Sequence, residues 1–509
     1  MPTTPMSPAA APPAPAPTAA PPPRPRPTWG LWIGIAAMLA VLALPLGDGL
    51  PVAGQRMLAI LAFAVVVWIS EAVSYEASAI IITSLMAVLV GSAPMVDDPS
   101  QTYGSSAAIT MALQGFANPA LALVAGALFL AAAMTLTGLD RRIALHTLAL
   151  VGTSTRRIMA GALAITFVLS LLVPSATARS ACVVPIMLGV IAAFGIDRRS
   201  NLAAAIMIVV AQGTSIWNVG IQTAAAQNLL ATGFMDQLLG ERVSWLQWLV
   251  AGAPWSLAMS VVLLVVVRWL LPPETEQVAG GREAVRHELQ QLGPMTGAQK
   301  RLLGVVLGLL LAWSTEGVLH PFDTTTTTYA GLVLLLLPRV GVMVWKDVQS
   351  RIPWGTVIVF GVGIGMGGAL LATQAGQWLA HQVVTHTPLA DYGPLGIVAL
   401  LGGFLILVHL GFASATALTS ALLPILISVL TALPGPVNAL GLTMVLTFLV
   451  SFGFILPINA PQNMVCLGTG TFDARQFARV GIVLTLIGYA MILLFTVTWW
   501  RWLGWTSAA

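Results

Sequence analysis

Residues 175–186 read SATARSACVVPI, and residues 414–425 read SATALTSALLPI; six of the twelve positions are identical, with Pro185 and Pro424 in register. A polar tripeptide that occurs twice inside apolar sequence points to a site built from two related halves. The surroundings decide where that site lies. The chain is 57% hydrophobic and 8% charged, with a mean hydropathy of +0.90, which no soluble domain with an ordinary surface can match. The sequence therefore predicts an all-α polytopic membrane protein.

Stretches apolar and long enough to cross a hydrocarbon layer of about 30 Å begin near Trp29, Met57, Ala77, Pro119, Asn201, Trp245, Leu302, Tyr329, Pro353, Val437 and Val480. That makes eleven expected spans. Two more apolar stretches, about 157–195 and 395–430, are interrupted at their middles by the twin motifs. Each reads as a re-entrant helical hairpin, because broken backbone at depth survives only where protein or a watery cavity surrounds it.

With the N-terminus placed inside, eighteen of the 22 basic residues fall on the cytoplasmic side, and only Arg56, Arg242 and Arg501 fall opposite. The last, Arg179, sits in the first hairpin. This bias follows the positive-inside rule and accounts for the pI of about 9.4 without any nucleic-acid partner. An inner membrane of bacterial type is expected, with the N-terminus cytoplasmic and the C-terminus periplasmic. Residues 1–28 are rich in Pro and Ala and read as a disordered tail. Residues 272–301 carry a cluster of charges and read as a cytoplasmic linker between a first repeat, 29–271, and a second, 302–509.

The repeat extends beyond the hairpins. Thr135 and Gly138 precede the first hairpin as Thr373 and Gly376 precede the second, with the same offset for both pairs. Gln227-Asn228 and Gln462-Asn463 follow the hairpins at nearly that offset. An odd number of crossings separates the copies, so they enter the membrane from opposite faces. Inverted repeats with broken helices meeting at the midplane characterise secondary transporters. Polar residues crowd AQGTSIWNVGIQTAAAQN, including Thr223 and Asn228, and Pro457 and Pro461 flank Asn459 in LPINAPQN, freeing carbonyls. Unwound carbonyls suit a small cation, and helix N-termini suit an anion.

None of the 18 acidic residues falls in the middle of an expected span. The interior ionisable group with the best positional case is Arg179, one helical turn past Ser175, which reads either as a substrate-facing charge or as a structural residue pairing with carbonyls at the hairpin tip. Both facts favour an anionic substrate. His409, five residues before Ser414, reads as a packing histidine. Cys182 and Cys466 have no metal or redox spacing.

At these residues the chain resembles the divalent anion/sodium symporter family. The resemblance covers about 29–503 and rests on WISEAVSYEASA, GFANPALALVAGALFLAAAMTLTGLDRRIAL, the two SAT motifs, IPWGTVIVFGVGIGMGGAL and LPINAPQNMVCLGTG. It implies a homodimer that works by an elevator-like motion, sodium held at the hairpin tips, no organic cofactor, and dicarboxylates, tricarboxylates or sulfate as substrates. The departure lies at the tips: the family's Ser-Asn-Thr has alanine at its middle position here, Ala176 and Ala415, which removes an amide oxygen from each expected sodium site.

The reading is a secondary active transporter, not an enzyme, for C4 or C5 dicarboxylates such as succinate, malate or 2-oxoglutarate, by symport or exchange. Ser175, Thr177, Ser414, Thr416 and Arg179 are expected to bind substrate; Thr223, Asn228, Asn459, Asn463, Ala176 and Ala415 shape the adjacent ion sites. A sulfate carrier is the nearest alternative, and a passive anion channel is the alternative of another class. No HExxH or GxSxG motif suggests intramembrane catalysis.

Overall fold

The structure is a computed structural model that describes residues 28–45, 48–150, 154–193, 195–275, 281–435 and 437–507. The Pro- and Ala-rich tail lies outside the described residues. The protein is a helical, polytopic membrane protein. Its first half runs α1 (Trp29–Ala43), α2 (Val52–Ser70), α3 (Tyr75–Leu85), α4 (Ser105–Leu113), α5 (Pro119–Thr137), α6 (Leu139–Ala149), α7 (Thr155–Leu172), α8 (Ala176–Ala193), α9 (Asn201–Gly220), α10 (Ala226–Phe234) and α11 (Trp245–Leu270). A linker helix, α12 (Gly281–Gln291), follows. The second half runs α13 (Gly297–Ser314), α14 (Thr324–Leu336), α15 (Trp345–Val348), α16 (Trp354–Ala372), α17 (Ala375–His386), α18 (Pro394–His409), α19 (Ala415–Ala432), α20 (Ala439–Val450), α21 (Pro461–Leu467) and α22 (Ala474–Val497).

The element order repeats because the local signals repeat. In each half a long apolar helix (α5, α16) ends in a left-handed residue, Gly138 or Gln374, and a shorter helix (α6, α17) follows. An antiparallel pair comes next, α7–α8 and α18–α19, whose second arm is capped by the motif serine and carries the motif proline. A helix broken near its middle follows (α9–α10, α20–α21). Each half then ends in a long helix opened by a capping box, Ser244 with Gln247 in α11 and Asp473 with Gln476 in α22.

Eight helices are long and apolar enough to cross a membrane, with six shorter apolar ones among the described residues. Six of the eight answer expected spans; the other two are the hairpin arms α7 and α19. The expected spans near Trp29, Ala77, Tyr329 and Val437 are short helices, and the one expected from Leu302 starts at Gly297, where Thr296 and Gln299 form a capping box. The expected linker loop contains α12. Arg142 on α6 holds the end of that linker: its guanidinium donates to the carbonyls of Leu292 and Gly293 and to Gln299 Oε1, at 2.9 to 3.1 Å.

The centre of the molecule is α9, buried at every residue from 202 to 220. Most of its polar side chains are paired accordingly, among them Gln212 Nε2, Thr214, Ser215 and Asn218 Oδ1, while Trp217 Nε1 and Gln212 Oε1 have no partner among the described residues. Helix α11 ties to the backbone of α9, with Ser256 Oγ donating to the Ile216 carbonyl at 2.8 Å and Trp248 Nε1 to the Val219 carbonyl at 2.9 Å. Close approach there requires Gly252, whose added Cβ would lie 2.5 Å from that same carbonyl oxygen.

Candidate functional site

The two breaks share one backbone form. After α9, Ile221 is extended, residues Gln222–Ala224 make a 3₁₀ turn, and Ala225 (φ −146°, ψ 142°) leads into α10. After α20, Leu456 is extended, residues Pro457–Asn459 make a 3₁₀ turn, and Ala460 (φ −151°, ψ 137°) leads into α21. Prolines enforce the second break. The first has none, and Asn228 takes their place: its Nδ2 lies within donor distance of the carbonyls of Asn218 (2.6 Å), Ile221 (3.1 Å) and Gln222 (3.3 Å) around the break. Asn463 makes the equivalent bond to Gly453 at 2.9 Å. Asn228 Oδ1 and Asn463 Oδ1 are buried and lack a hydrogen-bond partner among the described residues.

Each hairpin turn is stapled to its break, and the two staples come from opposite sides. In the first half the donor is Arg179 on hairpin arm α8. Nη1 donates to the carbonyls of Val173 (2.9 Å) and Ala224 (2.7 Å), and Nη2 to Asn218 Oδ1 at 2.5 Å. In the second half the donor is Asn459 in the break, whose Nδ2 reaches the carbonyls of His409 (2.7 Å) and Phe412 (2.9 Å). Val173 and Phe412 are equivalent turn positions, each two before its motif serine, and Ala224 and Asn459 are equivalent break positions, each closing its 3₁₀ turn. The position equivalent to Arg179 is Leu418. One joint is thus closed by a fixed cation and the other by a neutral amide. Arg179 and Asn459 are 0% and 1% exposed, so neither bond competes with water.

At the tips, Ser175 Oγ accepts from the Ala178 N–H and Ser414 Oγ accepts from the Ala417 N–H, both at 3.3 Å. The serines therefore cap α8 and α19, and each hydroxyl keeps its proton for a further acceptor. The first-turn N–H groups beside them, on Ala176, Thr177, Ala415 and Thr416, have no carbonyl one turn back. The arrangement can therefore present two hydroxyl-flanked, electropositive helix starts to an anion.

The hairpins also exchange partners: α8 packs on α21 of the other half, and α19 packs on α10. Their outer faces differ. On α8 the residues Thr177, Ala181, Pro185 and Gly189 are all exposed and run from the tip into a cavity of about 590 Å³, whose far wall holds Asp140, Arg141, His287 and Glu288. Burial raises the Asp140 carboxyl above the usual carboxylate range, against hydrogen bonds from the Arg141 N–H and the Thr135 hydroxyl. On α19 the equivalent Ser420 and Pro424 are buried, sealed onto α16 at Gly363 and Gly367, whose added Cβ atoms would lie 2.8 Å from Ser420 Oγ and 3.2 Å from Pro424 Cγ. The first hairpin is open along its length and the second is closed. In a Cys182→Ser, Cys466→Ala background, Ala181→Cys is expected to react with a hydrophilic maleimide at least ~10 times faster than Ser420→Cys, since thiol reactivity follows exposure. Equal rates would contradict the assignment of open and closed sides.

The structure places Ser175, Ala176, Thr177, Ser414, Ala415 and Thr416 at the two tips, with Thr177 exposed and the other five half-buried. Arg179 stands beneath the first tip, its guanidinium turned to protein oxygens rather than outward. Thr223 is drawn away from the tips, because its Oγ1 accepts from Trp245 Nε1 at 3.1 Å. His409 is buried, and its carbonyl accepts from Asn459 Nδ2. Sequence reasoning missed the pairing of Gln227 and Gln462 with the opposite half, although the duplicated Gln-Asn dipeptide was its signal.

Paired hairpins, crossed helix breaks and an apolar exterior define a membrane transporter assembled from two related halves. Residues 26–506 match the sodium:sulfate symporter transmembrane region. The chain belongs to that family. It is 70% identical over 94% of its length to a membrane protein of Cupriavidus necator, of which 93% is covered. It is 26% identical to the citrate/succinate antiporter of Escherichia coli K12, covering 92% of this chain and 96% of the relative. It is 25% identical to the sodium-dependent dicarboxylate transporter SdcS of Staphylococcus saprophyticus, covering 91% and 90%.

Proposed function

We propose that the protein is a secondary active transporter of C4 or C5 dicarboxylates in a bacterial-type inner membrane, with substrate held between the two hairpin tips. The single observation that carries this reading is the pair of serine-capped helix starts, each standing over a stapled break. Ser175 and Thr177 take one carboxylate; Ser414 and Thr416 take the other, with the first-turn N–H groups of α8 and α19. The names of the two functionally described relatives support a dicarboxylate. The family's own description supports sulfate as the competing substrate.

The ion sites are unequal. A sodium ion wants several oxygen ligands, and in the first half the turn and break carbonyls already accept from Arg179. A second unit positive charge about 4 Å from that guanidinium is opposed by roughly 4 kcal/mol at an effective dielectric of about 20. The residues of the first half therefore do not fit sodium, and Arg179 stands as a fixed positive charge in its place. The second half fits: Asn463 Oδ1 is free and buried, the staple is neutral, and Ser414 and Thr416 add hydroxyls. Bound there, sodium would contribute positive charge beside the second carboxylate. The N-in, C-out orientation and the homodimer belong to the same proposal.

Proteoliposomes test it. Labelled succinate uptake is expected to saturate, to be inhibited by unlabelled malate and 2-oxoglutarate, and to resist excess sulfate. Saturable uptake blocked by sulfate but not by malate would replace the dicarboxylate with the oxyanion; linear, unsaturable flux would indicate a channel.

A further inference from the structure

Gln227 opens α10 just after the first break, and its Nε2 donates to Ser451 Oγ at the end of α20, at 3.2 Å. Gln462 opens α21 just after the second break, and its Nε2 donates to Ser215 Oγ near the end of α9, at 3.1 Å. The two bonds are one motif seen twice: the glutamines and the serines recur at nearly the same offset, and each bond ties a helix just past its own break to the helix just before the other half's break. All four side chains are at least nine-tenths buried. A further tie runs the same way, from Gln212 Nε2 to the Phe454 carbonyl at 2.9 Å.

We infer that Gln227–Ser451 and Gln462–Ser215 form a reciprocal brace that positions both substrate half-sites as a single unit. The chain of contacts is short. Each glutamine is followed by the asparagine that closes its own break, so the Gln-Asn dipeptide faces both halves at once. The helix it opens is the platform for the other half's hairpin, α21 for α8 and α10 for α19. Gln462 therefore sets the seat of the tip bearing Ser175 and Thr177, and Gln227 that of the tip bearing Ser414 and Thr416. Losing either bond tilts one platform and misplaces one carboxylate site against the other. Losing both adds little, because the register between the halves is already gone. Gln227, Ser451, Gln462 and Ser215 are positioning residues on this account, and none touches substrate.

The inference rests on the transport reading, and a double-mutant cycle separates the two. Ser215→Ala and Ser451→Ala leave a buried amide donor unpaired, a loss equivalent to about tenfold in an equilibrium. Each is expected to raise the KM for succinate on the order of tenfold with the maximal rate within about twofold, and the double variant is expected to match the singles rather than multiply them. Gln462→Met, which keeps the volume and removes the donor, reads the same bond from its other end and is expected to reproduce the Ser215→Ala KM. Single variants with wild-type KM, or a double variant near a hundredfold, overturn the brace while leaving transport standing. Melting temperatures of the same four proteins in detergent need no substrate, and additive losses there overturn the brace even if wild-type protein takes up no anion in the panel, an outcome that falls on the transport reading alone.

Discussion

Replacing Arg179 with leucine, the residue at the equivalent position 418, is expected to abolish anion uptake and to lower the melting temperature of the purified protein. The change strips the donor from the Ala224 carbonyl and Asn218 Oδ1 in a fully buried setting, where each orphaned group costs about 1–3 kcal/mol, and leaves the Val173 carbonyl with the Ser175 N–H alone. The hairpin turn then loses its tie to the break. Joining Ala224→Asn to Arg179→Leu gives the first half the second half's own solution, an amide at the break reaching back to the hairpin carbonyl. That double variant is expected to regain most of the lost stability. Its ion dependence is expected to change: with the fixed charge gone the first half can accept sodium, and the Hill coefficient for sodium activation is expected to rise from about 1 to about 2. Recovery of uptake with wild-type sodium dependence would mean that Arg179 is a staple and nothing more.

The reverse exchange gives the second large effect. Asn459→Ala is expected to reduce uptake at least about a hundredfold, because the Phe412 carbonyl loses the donor that closes the second turn and the His409 carbonyl keeps only the Phe412 N–H. At about 1.4 kcal/mol per tenfold, one orphaned buried carbonyl near the upper end of about 1–3 kcal/mol is sufficient. Adding Leu418→Arg to Asn459→Ala places a guanidinium where the first half already has one. Leu418 is fully buried, so the larger side chain must use the space the asparagine leaves, and detergent melting curves report whether it does. If the protein folds, uptake is expected to persist and to lose sodium activation, since both half-sites then carry fixed charge. Sodium activation that survives this exchange would place the coupling ion away from the hairpin turns.

Much of this is legible in the chain. The SAT tripeptides, the near-constant offset between paired landmarks and the prolines at 457 and 461 locate both hairpins and one break from local chemistry alone. Arg179 and Asn459 both stand out in the sequence, and so do the alanines at the tips. Which atoms meet cannot be read there. Arg179 falls on the Ser175 face of a helical wheel, yet its long side chain turns back to the turn carbonyl of Val173 and to Ala224 and Asn218, which the break in α9 brings within its reach. Thr223 sits in the right segment, but a tryptophan 22 residues later takes its hydroxyl. The short helices α1, α14 and α20 read as full spans because apolar sequence runs beyond the hydrogen-bonded helix, α3 because a π-helical turn carries it on to Val90, and α12 is hidden because its pattern is polar nearly throughout.

On the proposed reading one half of the site carries a permanent positive charge, from Arg179, and the other does not. Initial rates of labelled succinate uptake into proteoliposomes, measured against external sodium for wild-type protein and for Arg179→Leu/Ala224→Asn side by side, address it most directly. Saturable uptake is expected in both, with Hill coefficients of about 1 and about 2 respectively. A wild-type coefficient of about 2, or identical sodium curves for the two proteins, would contradict it.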